Sequence, residues 1–446
     1  MNRNHDRERK KTMGFDELRN AVRGRVLESG DPDFEQAARP WSLAVAQPVA
    51  AVAEVADAAD VAAVVRYAGA AGRPVATQPT GHGAAGGIDT AIVLRTGALN
   101  RLEIDPVARV ARVGAGVRWG QVQAAAATHG LTGLAGSNPV VGVTGYTLGG
   151  GKSWFGRKYG WASNAVRAFE IVDAEGRPAR VTADSDPDLF WALSGGGGDF
   201  AVVTGLEFEL FPAPGLYGGR ITWTADRLPE VWEAFRELTS RAPDELSVWF
   251  NRFQFPQAPE MVGVDLAYLG DPEQGRTLVS ALDRIGGALT DTRAAMSVAD
   301  LGDITEEPVD PSPAITRGEL LDDLSPAAEK IILGESLAPL VSLQVRHLGG
   351  ALARPAAGAR GALSDRYLVS TLGLGLPHLR EAVHARTHAL VAEFGALVTG
   401  KKPFTFLAPG ESAAAAFDAA TVDRLRTIKR ERDPRNVIRS NYPVFA

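Results

Sequence analysis

Cysteine is absent from this 446-residue chain, which excludes a disulfide framework, a thiolate nucleophile and a thiolate metal site. Also missing is any uninterrupted apolar run of membrane-spanning length. The opening residues, MNRNHDRERKKTMGFDEL, carry charge with no apolar core behind it, so they do not read as a secretory signal. There is no excess of positive charge. With 47 Lys+Arg against 53 Asp+Glu, the net charge of -6 gives no electrostatic reason to expect nucleic acid or an anionic membrane as partner. Lysine is scarce beside alanine, glycine and arginine, a compositional bias of GC-rich bacterial genomes. The expectation is a soluble, cytoplasmic protein with a solvated, disordered tail over residues 1–13.

What is present is ordinary globular material, 45% hydrophobic and 22% charged, long enough for two domains. Its 49 glycines cluster most tellingly in the stretch 133–160, GLAGSNPVVGVTGYTLGGGKSWFGRKYG. Backbone N–H groups left bare by glycine let a chain pass close to a flat or phosphorylated ligand. Near Lys152 and Ser153 this stretch imitates a phosphate-binding P-loop. That pattern needs glycine at position 146, however, and position 146 is Tyr. Gly114-Ala115-Gly116 follows a predicted strand and opens a helix, as in a dinucleotide fold. Its third glycine, Gly120, comes one residue late, and no acidic strand end follows at the required distance. His384 and His388 stand one helical turn apart but lack the neighbouring Glu of a zinc helix, so no metal site is expected.

Short strands and intervening helices up to about residue 212 describe an α+β unit. The spacing predicts strands at 75–77, 91–94, 107–113, 165–172, 178–181 and 202–210, and helices at 54–71, 117–129 and 188–193. Beyond Pro212 and Pro214 the texture changes. Helix-sized segments at 225–241 and 274–286 alternate with strands at 246–255 and 262–269, the pattern of an antiparallel sheet covered by helices on one side. A further strand is expected at 341–347 and a helix at 379–393. The acidic, proline-containing stretch 300–313 reads as an excursion over the surface.

Four stretches in order then carry a family likeness: VATQPTGHGAAGGIDTAIVLRT (75–96), the glycine-rich stretch 133–160, PDLFWALSGGGGDF with VVT (187–204), and DPRNVIRSN (433–441). Together they resemble the flavin-binding domain of the vanillyl-alcohol oxidase and berberine-bridge-enzyme family of FAD-linked oxidases. The likeness implies an α+β fold. A PCMH-type FAD-binding domain of two α+β subdomains (14–212) carries an inserted antiparallel-sheet substrate domain (213–400), and a C-terminal segment (401–446) returns to the flavin. It implies FAD attached through His82, the position of the histidine that the family joins to the 8α-methyl carbon. A neutral imidazole is a competent nucleophile for that bond.

Around His82 the family's Arg-Gly-Gly-Gly-His-Ser becomes Gln78-Pro79-Thr80-Gly81-His82-Gly83, and Pro79 has no N–H to give a phosphate. Some members make a second flavin bond through a cysteine. Its place here is Asn138, so at most one bond is expected. The likeness carries the cradle over to Gly142, Val143, Thr144, Gly145, Gly149 and Gly150, with Val203 near the adenosine part and Asn441 and Tyr442 near the isoalloxazine. Tyr146 either faces the ring or fills the core.

The substrate side departs most. Many members carry a glutamate base where this chain has Gln344, and an amide cannot accept a proton at neutral pH. By strand alternation Arg346 shares the face of Gln344 and could hold a substrate anion. His347 points the other way, where a core or surface histidine is the plainer reading, although it is the only titratable group nearby suited to act as a base. The family's Tyr-x-Asn-Phe is replaced by Pro403 and Thr405. The expected activity is an oxidase taking hydride from a small or medium organic substrate and reducing O2 to H2O2, in secondary metabolism. The alternatives are a flavin-dependent oxygenase or cyclase, and a flavin-fold binding protein without redox turnover.

Overall fold

The computed structural model describes residues 14–334 and 336–445, and the expected tail at 1–13 lies outside them. Four sheets organise the described residues. The first is a four-stranded sheet in which Ala51–Glu54 and Val75–Thr77 flank Ile92–Arg95 in parallel, while Arg25–Glu28 adds antiparallel at the edge. Helix Ala58–Ala71 covers it. Asp57 caps that helix through the N–H groups of Ala59 and Asp60, and its Ala- and Val-rich faces are small enough to lie flat on the strands. Glu54, expected as the first helical residue, instead ends a strand, because the cap at Asp57 fixes the later start.

The second sheet has five antiparallel strands in the spatial order Leu102–Asp105, Val110–Gly114, Val202–Glu209, Val166–Val172, Pro178–Val181. Its core continues into Trp119, Trp154 and Phe155. The third is a two-stranded pair, Leu131–Thr132 with Phe211–Pro212.

The largest sheet holds eight strands, built around Leu216–Thr224, Met261–Leu269, Leu246–Phe253, Leu340–His347, Tyr367–Leu374 and Ala314–Leu321, all antiparallel. One face packs against Leu228–Arg241, Pro326–Ile332 and Arg380–Phe394 through a core that includes Trp232, Phe235 and Phe250. The other face carries polar groups. This mixed α+β architecture, with a helix-backed antiparallel sheet, is the expected fold class.

Three further sequence expectations are corrected. The helix foreseen at 274–286 breaks into Pro272–Leu278 and a 3-10 turn, Ser280–Arg284, with Gly286 and Gly287 beyond it. The glycine-rich stretch 133–160 is not all loop, since it holds the short helices Val143–Leu148 and Gly156–Tyr159. The stretch 300–313 is more than a surface excursion: Leu301 and Ile304 are buried, Pro308 accepts from the Asn138 amide, and Ser312 bridges to Ser42.

The end of the chain is locked by a buried ionic knot. Lys429 Nζ donates to the Asp199 carbonyl at 2.6 Å and to Asp433 Oδ2 at 2.9 Å. Asp433 in turn accepts from the N–H groups of Val437 and Ile438, and Asp199 accepts from those of Ser440 and Val444. The Gly-Gly-Asp-Phe and Asp-Pro-Arg-Asn motifs, distant in sequence, are thus two halves of one structural weld.

Candidate flavin and substrate site

The histidine turn sits directly after Val75–Thr77. Gly81 adopts φ +82, and a Cβ there would strike Pro40 at 2.8 Å and Trp41 at 2.9 Å, so glycine lets the turn press against Trp41. The His82 ring stacks on Trp41 with centroids 4.3 Å apart. Its Nδ1 pairs with Thr80 Oγ1 at 2.7 Å, while its buried Nε2 has no partner. Burial and the Arg118 charge depress its pKa to about 4, so the ring is neutral near pH 7. A cleft of about 630 Å³ opens beside it, lined by Pro79, Thr80, His82, Arg95, Arg118 and Val140 among others.

The other predicted cradle residues gather around this turn. A Cβ on Gly142 would lie 3.4 Å from Pro79, and one on Gly145 would meet no atom within 4 Å. Val143 and Thr144 open the short helix behind Gly142. Gly83 also fronts open space, and Gly149 and Gly150 lie against Phe404, Thr405 and Arg360. Asn441 Oδ1 accepts from Gln47, Gln78 and the Ala85 N–H, and the Tyr442 hydroxyl donates to the Leu407 carbonyl at 2.6 Å. Val203 is a core residue of its sheet, and Asn138 spends its amide on Pro308 and its oxygen on the Val140 N–H.

A group of buried polar atoms in these segments lacks any partner: Gln78 Oε1, His82 Nε2, Thr144 Oγ1, Tyr146 OH, Thr147 Oγ1 and Ser440 Oγ. Native interiors rarely tolerate so many unmade hydrogen bonds in one neighbourhood. A cofactor rich in acceptors and donors satisfies them, so the residues fit FAD. Arg360 belongs to the same neighbourhood and was missed from the sequence. It is buried over Trp161 with Nε and one terminal nitrogen unpartnered, lying against Gly150 and Gly195.

The polar face of the large sheet packs against the glycine-rich stretch, where Trp249 meets Trp154 and Lys152. Along Leu340–His347 burial alternates, with Ser342, Gln344 and Arg346 half-buried on one face and Leu343, Val345 and His347 buried on the other. Arg220, Asp265, Trp249 and Arg346 form one cross-strand row. Arg220 grips Asp265 with two bonds, of 2.6 and 3.0 Å. Gln344 donates to Asn251 at 2.6 Å and accepts from Arg346 Nε, so both ends of its amide are engaged. The Arg346 guanidinium lies 3.8 Å from the centroid of Trp249, which stacks on Trp154 at 3.6 Å. Tyr146 packs against Gly136 and against Gly151, whose φ of +75 brings the backbone within reach of the ring.

His347 takes the plainer of its two readings, a core histidine. It lies on the helix side of the sheet, stacked on Tyr367, and its Nε2 is 3.2 Å from the buried Arg157 guanidinium. Burial and Arg157 push its pKa to about 3, so it serves Arg157 as a neutral acceptor. Arg157 also donates to the carbonyls of Leu246, Leu348 and Ala242, tying the glycine-rich stretch to the large sheet.

Comparison with known proteins agrees with this geometry. The FAD binding domain family matches residues 49–182. Over 95% of this chain and 97% of its own length, the (R)-6-hydroxynicotine oxidase of Paenarthrobacter nicotinovorans is 26% identical. These matches support the resemblance to the vanillyl-alcohol oxidase and berberine-bridge-enzyme family of FAD-linked oxidoreductases. The fold likeness extends to the solved 6-hydroxy-D-nicotine oxidase of Arthrobacter nicotinovorans, with a TM-score of 0.79 at 24% identity over 94% of this chain and 97% of that one. It extends also to the berberine-bridge-like enzyme 1 of Physcomitrella patens, at 0.83 and 18% over 97% and 99%. An FAD-dependent monooxygenase of Cochliobolus heterostrophus is 36% identical over 179 residues, 39% of this chain and 34% of its own length. As in its family, this enzyme's cofactor is FAD. Among the described residues no helix is long and apolar enough to cross a membrane.

Proposed function

We propose that this enzyme is an oxidase that takes a hydride from a small or medium organic amine or alcohol and reduces O2 to H2O2, with FAD joined covalently to His82. Residues 14–212 and 401–446 would hold the cofactor, and 213–400 would supply the substrate wall. The gathering of unpartnered buried polar atoms around the histidine turn and the glycine-rich stretch carries this reading. FAD supplies the two-electron acceptor.

The chain's own residues do the rest. His82 is neutral, and the tautomer in which Nδ1–H donates to Thr80 leaves Nε2 with a free lone pair beside the cleft. Thr144, Thr147 and the bare backbone at Gly145 would hold the cofactor's polar groups. Trp249, stacked on Trp154, carries the Arg346 guanidinium on its ring and fixes that cation in place. Arg346, held by Gln344, presents cationic N–H groups at its edge. Tyr146, its pKa raised well above normal by burial, keeps its proton and donates. Gln344 stands where the family carries its carboxylate, and an amine that already has a free lone pair suits such a site. The nicotine oxidase relative supports an amine, and the compositional bias supports a bacterial natural-product setting.

A visible spectrum before and after acid precipitation tests the cofactor half of the proposal. Flavin should stay in the wild-type pellet and move to the supernatant with His82→Ala. A panel of amines and alcohols scored by flavin bleaching and peroxide release tests the other half. The monooxygenase likeness favours a second reading, oxygenation. Oxygen from labelled O2 appearing in the product, without peroxide, would replace the oxidase reading with it.

A further inference from the structure

Lys152 directly follows the glycine run and is only 5% exposed. Its Nζ lies 4.7 Å from the centroid of Trp249, the ring on which Arg346 also rests. Among the described residues it has neither a hydrogen bond nor an ion pair. A buried lysine without a carboxylate is expensive to keep charged, and the chain gives this one a second cation as its neighbour. Burial and Arg346 together lower its pKa well below 10.5, opposed only by Glu307.

The alternatives on the same wall are closed. Gln344 is an amide with both ends engaged, and Tyr146 keeps its proton. Asp265 is gripped by Arg220, and His347 lies on the far face of the sheet.

We propose that the Lys152 amine, standing over Trp249 beside Arg346, is the group that accepts the substrate's proton. The inference rests on the oxidase reading. In that reaction the substrate carbon gives up a hydride to FAD, and the adjoining O–H or N–H gives up a proton as the C=O or C=N bond forms. Lys152 takes that proton on its lone pair, becomes an ammonium and returns the proton to water. Arg346 stabilises negative charge growing on the substrate oxygen or nitrogen while the proton moves.

Competitive acetylation of the holoenzyme with acetic anhydride across a pH series, read by peptide mass spectrometry, gives the midpoint for each lysine without reference to activity. Lys152 should react as a free amine at lower pH than the more exposed Lys158 and Lys330. With a substrate that bleaches the wild type, Lys152→Met should lower kcat/KM about a hundredfold or more and erase the acidic limb of its pH profile. Methylamine should restore part of the rate to Lys152→Ala. Glu307→Gln should move the limb to lower pH, because it removes the charge that holds the Lys152 pKa up. An acetylation midpoint equal to that of the exposed lysines would overturn the inference. So would a Lys152→Met enzyme with wild-type rate and pH profile. A wild-type flavin that no substrate bleaches would end the oxidase reading and take this inference with it.

Discussion

Lys429 and Lys152 are both buried, at 0% and 5% exposure, yet the chain surrounds them differently. Lys429 has Asp433 at 2.9 Å, Asp199 at 3.9 Å and backbone carbonyls for its remaining protons. Lys402, also buried, has Glu319 and Glu411, each at 2.7 Å. Lys152 rests on an indole beside a guanidinium, with no carboxylate bonded to it among the described residues. A buried ammonium with carboxylates around it holds segments together, whereas one left without them is pressed to give up its proton. The first arrangement joins two sequence motifs into a scaffold. The second lies where the glycine-rich stretch meets the polar face of the large sheet.

Breaking the scaffold member of the comparison should have the largest effect. Asp433→Ala leaves Lys429 without its nearest anion and uncaps the N–H groups of Val437 and Ile438, so a loss of about 3–5 kcal/mol is expected, read from denaturant midpoints. Asp265→Asn is an intermediate case. It weakens a grip on Arg220 that is only partly buried, and about 2 kcal/mol is expected by the same measurement. Lys152→Met should go the other way, neutral to about 2 kcal/mol stabilising, since an apolar side chain replaces an unpaired cation. The pH dependence sharpens the contrast. With its folded pKa below the unfolded value, Lys152 makes the unfolded state bind the extra proton. Wild-type stability should therefore gain on that of Lys152→Met as pH rises from the folded pKa toward 10.5, and a constant difference across that window would refute the assignment.

The histidine turn and the glycine-rich stretch were far more legible than the polar face of the large sheet. Glycine runs, the histidine turn and the Asp-Pro-Arg-Asn segment are local patterns, and bare backbone leaves its mark in sequence. Strands such as Val75–Thr77 and Pro178–Val181 were predicted to the residue because turn residues bound them closely. The substrate wall is built across strands. Arg220, Asp265, Trp249 and Arg346 become neighbours only through sheet register, which a single sequence does not display. Two signals were nonetheless present. Asp265 interrupts the apolar strand Met261–Leu269, and Lys152 interrupts a glycine-rich stretch, and a charge in either setting calls for a reason.

The smallest expected effect separates the two faces of Leu340–His347. His347 accepts from Arg157 on the helix side, and Gln at 347 can offer an amide oxygen to the same guanidinium. His347→Gln should therefore change kcat/KM by no more than about threefold and leave its pH profile in place, because a ring with a pKa of about 3 has no proton to exchange over the working range. Loss of the acidic limb in this variant, with the limb retained in Lys152→Met, would move the base to the far face of the sheet. It would also mean that the alternation in burial along this strand does not mark which of its side chains meet the substrate.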